Sequence, residues 1–317
     1  MNRSTTQTPS DAPAGSAVQR PGWVGVEPTC VAGWLSDLLM VTKARANVAV
    51  VATAFVGFAL HADIPSNWLL LLHTLAGTAL LAGSASVANQ AIEHQFDRSM
   101  ARTRNRPIAA GRLSRRTAVW LCSVLGGAGC LCLGAGVNAR ALLFGGLAFL
   151  IYVFAYTPLK RRTPVCTLVG AVSGALPLLI GWAATGAKSG LWSAVPFAVL
   201  FLWQMPHFLA ITWWRRTDYL GAGYRVLCQD DHQGYRTAGW ALGFTLAVFA
   251  VSLAPALANQ VTPWYWPGGM ACGVMFSISS IRFLMRRSEA AARALFLASL
   301  YYLPVVYALM LLCRTRS

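Results

Sequence analysis

Apolar residues in this chain fall into long blocks, and most polar residues gather between them. Nine blocks approach the roughly 20 apolar residues that a membrane-crossing helix requires. They run near 46–64, 67–92, 118–138, 141–157, 166–186, 193–212, 238–257, 264–284 and 293–313. The connections at 65–66, 139–140 and 187–192 are short, so neighbouring helices should run antiparallel. No stretch alternates with the period of two that a strand needs, and in lipid the backbone must then be satisfied inside helices. The expected fold class is therefore all-α, a polytopic membrane protein of nine transmembrane helices spanning 41–317. Residues 1–40 are rich in Ser, Thr, Pro, Gly and Ala and lack an apolar core of signal-peptide length, which predicts a flexible cytoplasmic tail.

Composition supports the same picture. The chain is 56% hydrophobic and 11% charged, too apolar for a soluble domain of 317 residues. Its formal net charge of +16 could suggest nucleic acid, but the basic residues sit where topology puts them. With the N-terminus cytoplasmic, the loops after the second, fourth, sixth and eighth helices carry Arg98 to Arg116, Lys160 to Arg162, Arg215 to Arg236 and Arg282 to Arg293. Only Arg140, Lys188, Arg314 and Arg316 face the other way, as the retention of Lys and Arg on the cytoplasmic side predicts. The partner implied is an anionic lipid bilayer and no nucleic acid, since no recognition helix or base-stacking module is present. The eight cysteines are scattered without C-x-x-C spacing and read as small apolar residues.

The acidic residues need another explanation, because carboxylates contribute little to topology. Asn89, Glu93 and Asp97 are spaced i, i+4, i+8 at the end of the second apolar block, which puts them along one stripe of a helix. Charge at this depth is costly unless it is paired or faces a wet cavity. Two carboxylates aimed the same way also repel unless a cation lies between them. Mg2+ suits that position, because it takes hard oxygen ligands from one or two carboxylates together with substrate phosphates. Arg98, Arg102, Arg104, Arg106 and Arg112 follow, and guanidinium groups match phosphate oxygens. Asp218 follows the sixth block; if that helix neighbours the second, Asp218 completes the clamp. The alternative is that Glu93 and Asp97 are ordinary helix-end acids paired with nearby arginines. His207, just past Pro206, is either a buried polar group bonded to a neighbouring helix or a substrate-binding residue.

The run "N-x-x-x-E-x-x-x-D" followed by "MARTRNRPIAAGRLS" resembles the first signature of the UbiA-type intramembrane prenyltransferase superfamily. "YTPLKRRTPVCTLVGAVSGALPLLIGWAA" and "FLWQMPHFLAI" are similar to the branch that farnesylates haem b. The likeness is strong over roughly 34–237 and rests on hydropathy beyond. It implies a bundle around a central cavity, in which Mg2+ assists transfer of the farnesyl group of farnesyl diphosphate to the 2-vinyl group of haem b with addition of water. Carried over by position, Asn89, Glu93, Asp97 and Asp218 match the metal-diphosphate motifs. Arg102, Arg106 and Lys160 match basic positions that hold the diphosphate, and Trp203 and His207 match the "WQ-PHF" signature. Tyr156 and Trp203 are the aromatic faces expected to shield a farnesyl cation. The first forty residues show no arginine-rich amphipathic helix of transit-peptide type, which points to a bacterial inner membrane rather than a mitochondrial one; the resemblance adds a haem A synthase or oxidase assembly proteins as further partners.

The chain departs from the family pattern at His94 and Gln95, where Arg and an additional Asp are expected, and at Arg225 and Cys228, where prolines are expected. Asp230 and Asp231 lie outside the pattern. The competing functions are a prenyltransferase acting on an aromatic or quinone precursor, a non-catalytic haem-handling protein, and a transporter. Clustering of the charges on one membrane face, rather than at midplane, argues against the last.

Overall fold

The structure is a computed structural model, and it describes residues 30–100, 103–221, 225 and 227–315. It is nearly all helix. Helix α1 (Cys30–Val41) leads into α2 (Ala44–Ala59), and α3 (Trp68–Ser99) and α4 (Arg115–Gly134) follow. Helix α5 starts as Ala139–Leu150 and continues through a π-helical turn to Leu159. Next come α6 (Cys166–Ala184), α7 (Leu191–Trp214), the short α8 (Arg216–Gly221), α9 (Tyr235–Ser252), α10 (Tyr265–Arg286) and α11 (Glu289–Cys313).

Among the described residues, eight helices are long and apolar enough to cross a membrane, and a ninth span results if the bent pair α1–α2 is counted as one. The chain is a multi-pass membrane protein. Helix α2 alone is 16 residues, about 24 Å at 1.5 Å per residue, short of the roughly 30 Å hydrocarbon core. The pair bends by 48°, with Lys43 at φ 52°. Thr42 is consumed at the break: its hydroxyl donates to Leu38 O, and Asn47 Nδ2 donates to Thr42 O at 2.7 Å. Residues 30–40 of the expected tail are thus helical, while 1–29 lie outside the described residues.

Helix α3 runs to Ser99, past the predicted end at 92. Its 32 residues span about 48 Å, so its last turns emerge from the hydrocarbon region into a shell made by other segments. The wide turn Ile151–Tyr156 in α5 has a local cause. Pro158 has no N–H to continue the ordinary pattern, and the Thr157 N–H and hydroxyl both donate back to Tyr152 O, the latter at 2.8 Å.

Small residues set the helix spacing where function needs it. At the α2–α6 crossing, a Cβ on Gly57 would overlap Leu178 O, and one on Gly181 would overlap Ala54 O. The two backbones touch there, as small-residue contacts allow in membranes. Asn138 caps α5 by accepting from Ala141 N at 2.9 Å and donates to Ala183 O at 2.9 Å, which fixes α5 against the end of α6. Trp120, Leu131, Phe154 and Trp240 point outward, as lipid-facing positions should. Gly181→Val is expected to force α2 from α6 and lower the unfolding midpoint in detergent by about 5 °C or more, given overpacking costs of about 1–3 kcal/mol. Gly127→Ala, where a Cβ meets nothing within 4 Å, should shift it by no more than about 1 °C.

Candidate active site

The stripe predicted on α3 is present and removed from water: Asn89, Glu93 and Asp97 are 0%, 4% and 1% exposed. Each member holds a cation brought by a different segment. Arg106 Nη1 donates to both Asp97 oxygens at 2.8 Å. Lys160 Nζ, from the end of α5, donates to the Glu93 oxygens at 3.2 and 3.3 Å. Lys43 Nζ, from the α1–α2 break, donates to Asn89 Oδ1 at 3.1 Å and to Tyr152 Oη at 3.3 Å. Asn89 Nδ2 donates to Thr157 Oγ1 at 3.1 Å, so the π-turn of α5 also closes on the stripe.

Local folding of the loop after α3 explains why Arg106 reaches the site. Thr103 Oγ1 donates to Asp97 O at 3.0 Å, and Arg98 Nε donates to Ala109 O at 2.8 Å. Gly111, at φ 79°, turns the chain toward α4. The other arginines of the cluster do different work. Arg98 is used on that carbonyl, Arg104 is exposed, and Arg112 pairs with Asp37 of α1 at 2.8 Å. Arg102 lies outside the described residues.

Asp218 is exposed on the short α8, one residue before Tyr219, which lines the site. Among the described residues no three His, Cys, Asp or Glu side chains converge as metal ligands, so Asp218 does not meet Glu93 and Asp97 in this arrangement. The two buried carboxylates are instead neutralised by Lys160 and Arg106. The departures from the family pattern at His94 and Gln95 fall on other faces of α3 than the stripe. Gln95 is exposed on another face of α3, and the His94 ring nitrogen Nδ1 contacts Ala91 O at 3.0 Å. Asp231 is structural: its Oδ2 accepts from Thr237 N at 2.7 Å and caps α9. Burial opposes ionisation of Asp231, but hydrogen bonds from Thr237, Arg236 and Gly234 outweigh it and hold the carboxyl below the usual range. Cys228 is buried with its thiol directed at Thr212 O, Asp230 is exposed, and Arg225 N donates to Lys160 O at 3.0 Å.

Three cavities meet at this point. A polar chamber of about 180 Å³ is lined by Glu93, Arg106, Tyr156, Lys160, Phe208 and Tyr219, among others. That is smaller than the roughly 300–1,000 Å³ that encloses a whole drug-sized ligand, and it suits a head group. An apolar chamber of about 330 Å³ lies among α2, α3, α5 and α6, with Lys43 and Tyr152 at its polar end. A second, of about 550 Å³, lies among α2, α6, α7 and α11 and includes Trp203 and Gln204. Tyr156 and Phe208 line all three. The Lys160 ammonium lies 4.5 Å from the Tyr156 ring centroid, and Gly170 leaves room for that ring, since a Cβ there would press on it.

His207 makes the inter-helix bond of the first alternative. Its Nδ1 lies 2.8 Å from Ser299 Oγ, and its ring stacks on Trp203 at 4.7 Å and packs on Phe296 at 4.7 Å. Trp203 Nε1 donates to Ser299 O at 2.7 Å, so the pair ties α7 to α11 while Trp203 lines the larger chamber. Sequence reasoning missed Lys43, which reads as a topology charge, and Tyr152, Phe208 and Gln204, which sit inside apolar blocks. The helical spacing of Tyr152 and Tyr156 is the one signal that marks a second aromatic on the same face.

Comparison with known proteins agrees with this architecture. The model of the UbiA prenyltransferase family matches residues 50–302. The protoheme IX farnesyltransferase of Solibacter usitatus is 37% identical over 88% of this chain and 99% of its own length. That of Opitutus terrae is 38% identical over 86% and 92%, and the mitochondrial protoheme IX farnesyltransferase of Arabidopsis thaliana is 34% identical over 87% and 64%. Among solved structures, a digeranylgeranylglyceryl phosphate synthase superposes with a TM-score of 0.75 at 15% identity, covering 88% of this chain and 98% of that one. A UbiA homologue from Archaeoglobus fulgidus bound to GPP and Mg2+ superposes with a TM-score of 0.67 at 15% identity, covering 86% and 99%. With the membrane bundle, the paired stripe on α3 and a family match over most of its length, the chain belongs to the UbiA prenyltransferase family and, within it, to the protoheme IX farnesyltransferases.

Proposed function

We infer that this protein is a haem O synthase, joining the farnesyl group of farnesyl diphosphate to the 2-vinyl group of haem b with addition of water. The observation that carries this reading is the three-way junction at Tyr156 and Phe208. A head-group chamber bearing Lys160 and Arg106 opens there on two apolar chambers, which are the compartments a diphosphate, its prenyl tail and a second apolar substrate require.

Lys160 and Arg106 are placed to donate to phosphate oxygens, with Lys43 reinforcing the positive field one turn deeper. Glu93 and Asp97, two buried hard-oxygen groups one helical turn apart, fit Mg2+, and Asp218, exposed on α8 and apart from them in this arrangement, is the further ligand proposed. Bound there, Mg2+ would neutralise charge on the departing diphosphate. The chain's own cations contribute to the same stabilisation, and in a site shielded from water such preorganised charge is worth more than in solution. The faces of Tyr156 and Trp203 can shelter the farnesyl cation, while apolar walls limit its capture by stray water. The relatives' common name favours haem over an aromatic or quinone precursor as acceptor. The excess of basic residues on the active-site side supports a cytoplasmic N-terminus and cytoplasmic active-site loops, in a bacterial inner membrane. A haem A synthase or oxidase assembly protein is the natural recipient of such a product.

Purified protein supplied with haem b, farnesyl diphosphate and magnesium should yield hydroxyethylfarnesyl haem by mass spectrometry; no product where a known synthase works would contradict the reading. Asp97→Ala and Glu93→Ala should each lower kcat by roughly 100-fold or more in folded protein. Gln95→Ala, on the exposed face, should stay within about twofold of wild type by the same assay.

A further inference from the structure

Gln204 is 6% exposed within α7, and both hydrogens of its amide are committed: Nε2 donates to Ala171 O at 3.0 Å and to Leu200 O at 3.2 Å. That fixes the orientation of the carboxamide and leaves Oε1 without a protein donor among the described residues, on a side chain that lines the larger apolar chamber. Three other polar side chains around this chamber are turned into the backbone, and a fourth, Tyr156, stands at its junction with the polar chamber. Thr53 donates to Val50 O, Trp203 to Ser299 O and Tyr307 to Pro196 O. Gln204 Oε1 also lies against Gly174, which lines both apolar chambers, so the acceptor stands at the wall between them. An acceptor facing an apolar chamber is costly to leave without a donor, and a water held there needs such a polar partner to stay.

We propose that Gln204 holds the water that completes the reaction. This rests on the haem-farnesylating reading above. The terminal vinyl carbon bonds to the farnesyl carbon as its bond to the diphosphate oxygen breaks, and the electron pair leaves with the diphosphate. A cation then remains on the carbon attached to the porphyrin ring. The oxygen of the water held at Gln204 Oε1 gives a lone pair to that carbon, and its surplus proton passes to the released diphosphate, the base that the reaction itself generates. Without a held water, the cation loses a proton from the adjacent methylene and yields a conjugated alkene lighter by one water.

The test compares Gln204→Leu, which removes the acceptor, with Gly174→Ala, which keeps the amide but places a methyl where Oε1 lies. Mass spectrometry of the reaction with haem b, farnesyl diphosphate and magnesium reads the ratio of dehydrated to hydrated farnesyl haem. Both variants are expected to raise that ratio by roughly tenfold or more over wild type. Fully hydrated product from both, or loss of both products together, overturns the assignment. Absence of any farnesyl haem from the wild type would instead refute the underlying function.

Discussion

Glu93 and Asp97 are ionisable groups almost wholly withdrawn from water, and the molecule around them is arranged to hold their charge. Lys160 reaches one from the end of α5, and Arg106 reaches the other from the loop after α3. Stripping one partner from a buried pair leaves an uncompensated charge, which costs about 3–5 kcal/mol. The pairs therefore pin the two segments that carry the cations and fix the loop fold that Thr103 and Arg98 complete. They also explain how α3 continues as a helix past its apolar block: its two carboxylates are covered by protein rather than by lipid.

From that paired stripe the site is graded along α3. Two carboxylates face two cations, and one turn deeper an amide faces a third, so the inner end carries net positive charge. Below it the surroundings become apolar, and Tyr156 and Phe208 mark the junction. The gradient separates two tasks that conflict in water: holding a highly charged leaving group and sheltering a carbocation. The same close contacts that keep α2 on α6 at Gly57 and Gly181 fix the shared wall of the two apolar chambers.

Much of this was legible in the sequence because lipid imposes a length on each helix. The predicted spans differ from α2 to α11 by a few residues at most ends, and α3 is the exception because hydropathy cannot see that Glu93 and Asp97 are protein-covered. The break at Lys43 was not legible, since it depends on a left-handed residue inside otherwise helical sequence. The stripe followed from spacing alone. Which cation meets which acid did not, because Arg98, Arg104, Arg106 and Arg112 look alike until the loop is folded. Gln95 looked like a lost ligand beside Glu93, yet two residues along a helix is about 200° around it, and the side chain is exposed. His207 and Gln204 read as one motif but divide into a strut between α7 and α11 and an acceptor on the chamber wall.

One binding site for a metal and a diphosphate, built from the α3 stripe and its basic partners, is what the proposed function requires. The most direct measurement is calorimetric binding of a non-reactive farnesyl diphosphate analogue to the detergent-solubilised protein, with and without magnesium. Magnesium is expected to tighten wild-type binding by roughly tenfold or more, the double variant Glu93→Gln and Asp97→Asn to lose this gain, and Arg106→Ala to weaken binding in both conditions. A magnesium gain undiminished in the double variant would contradict this expectation.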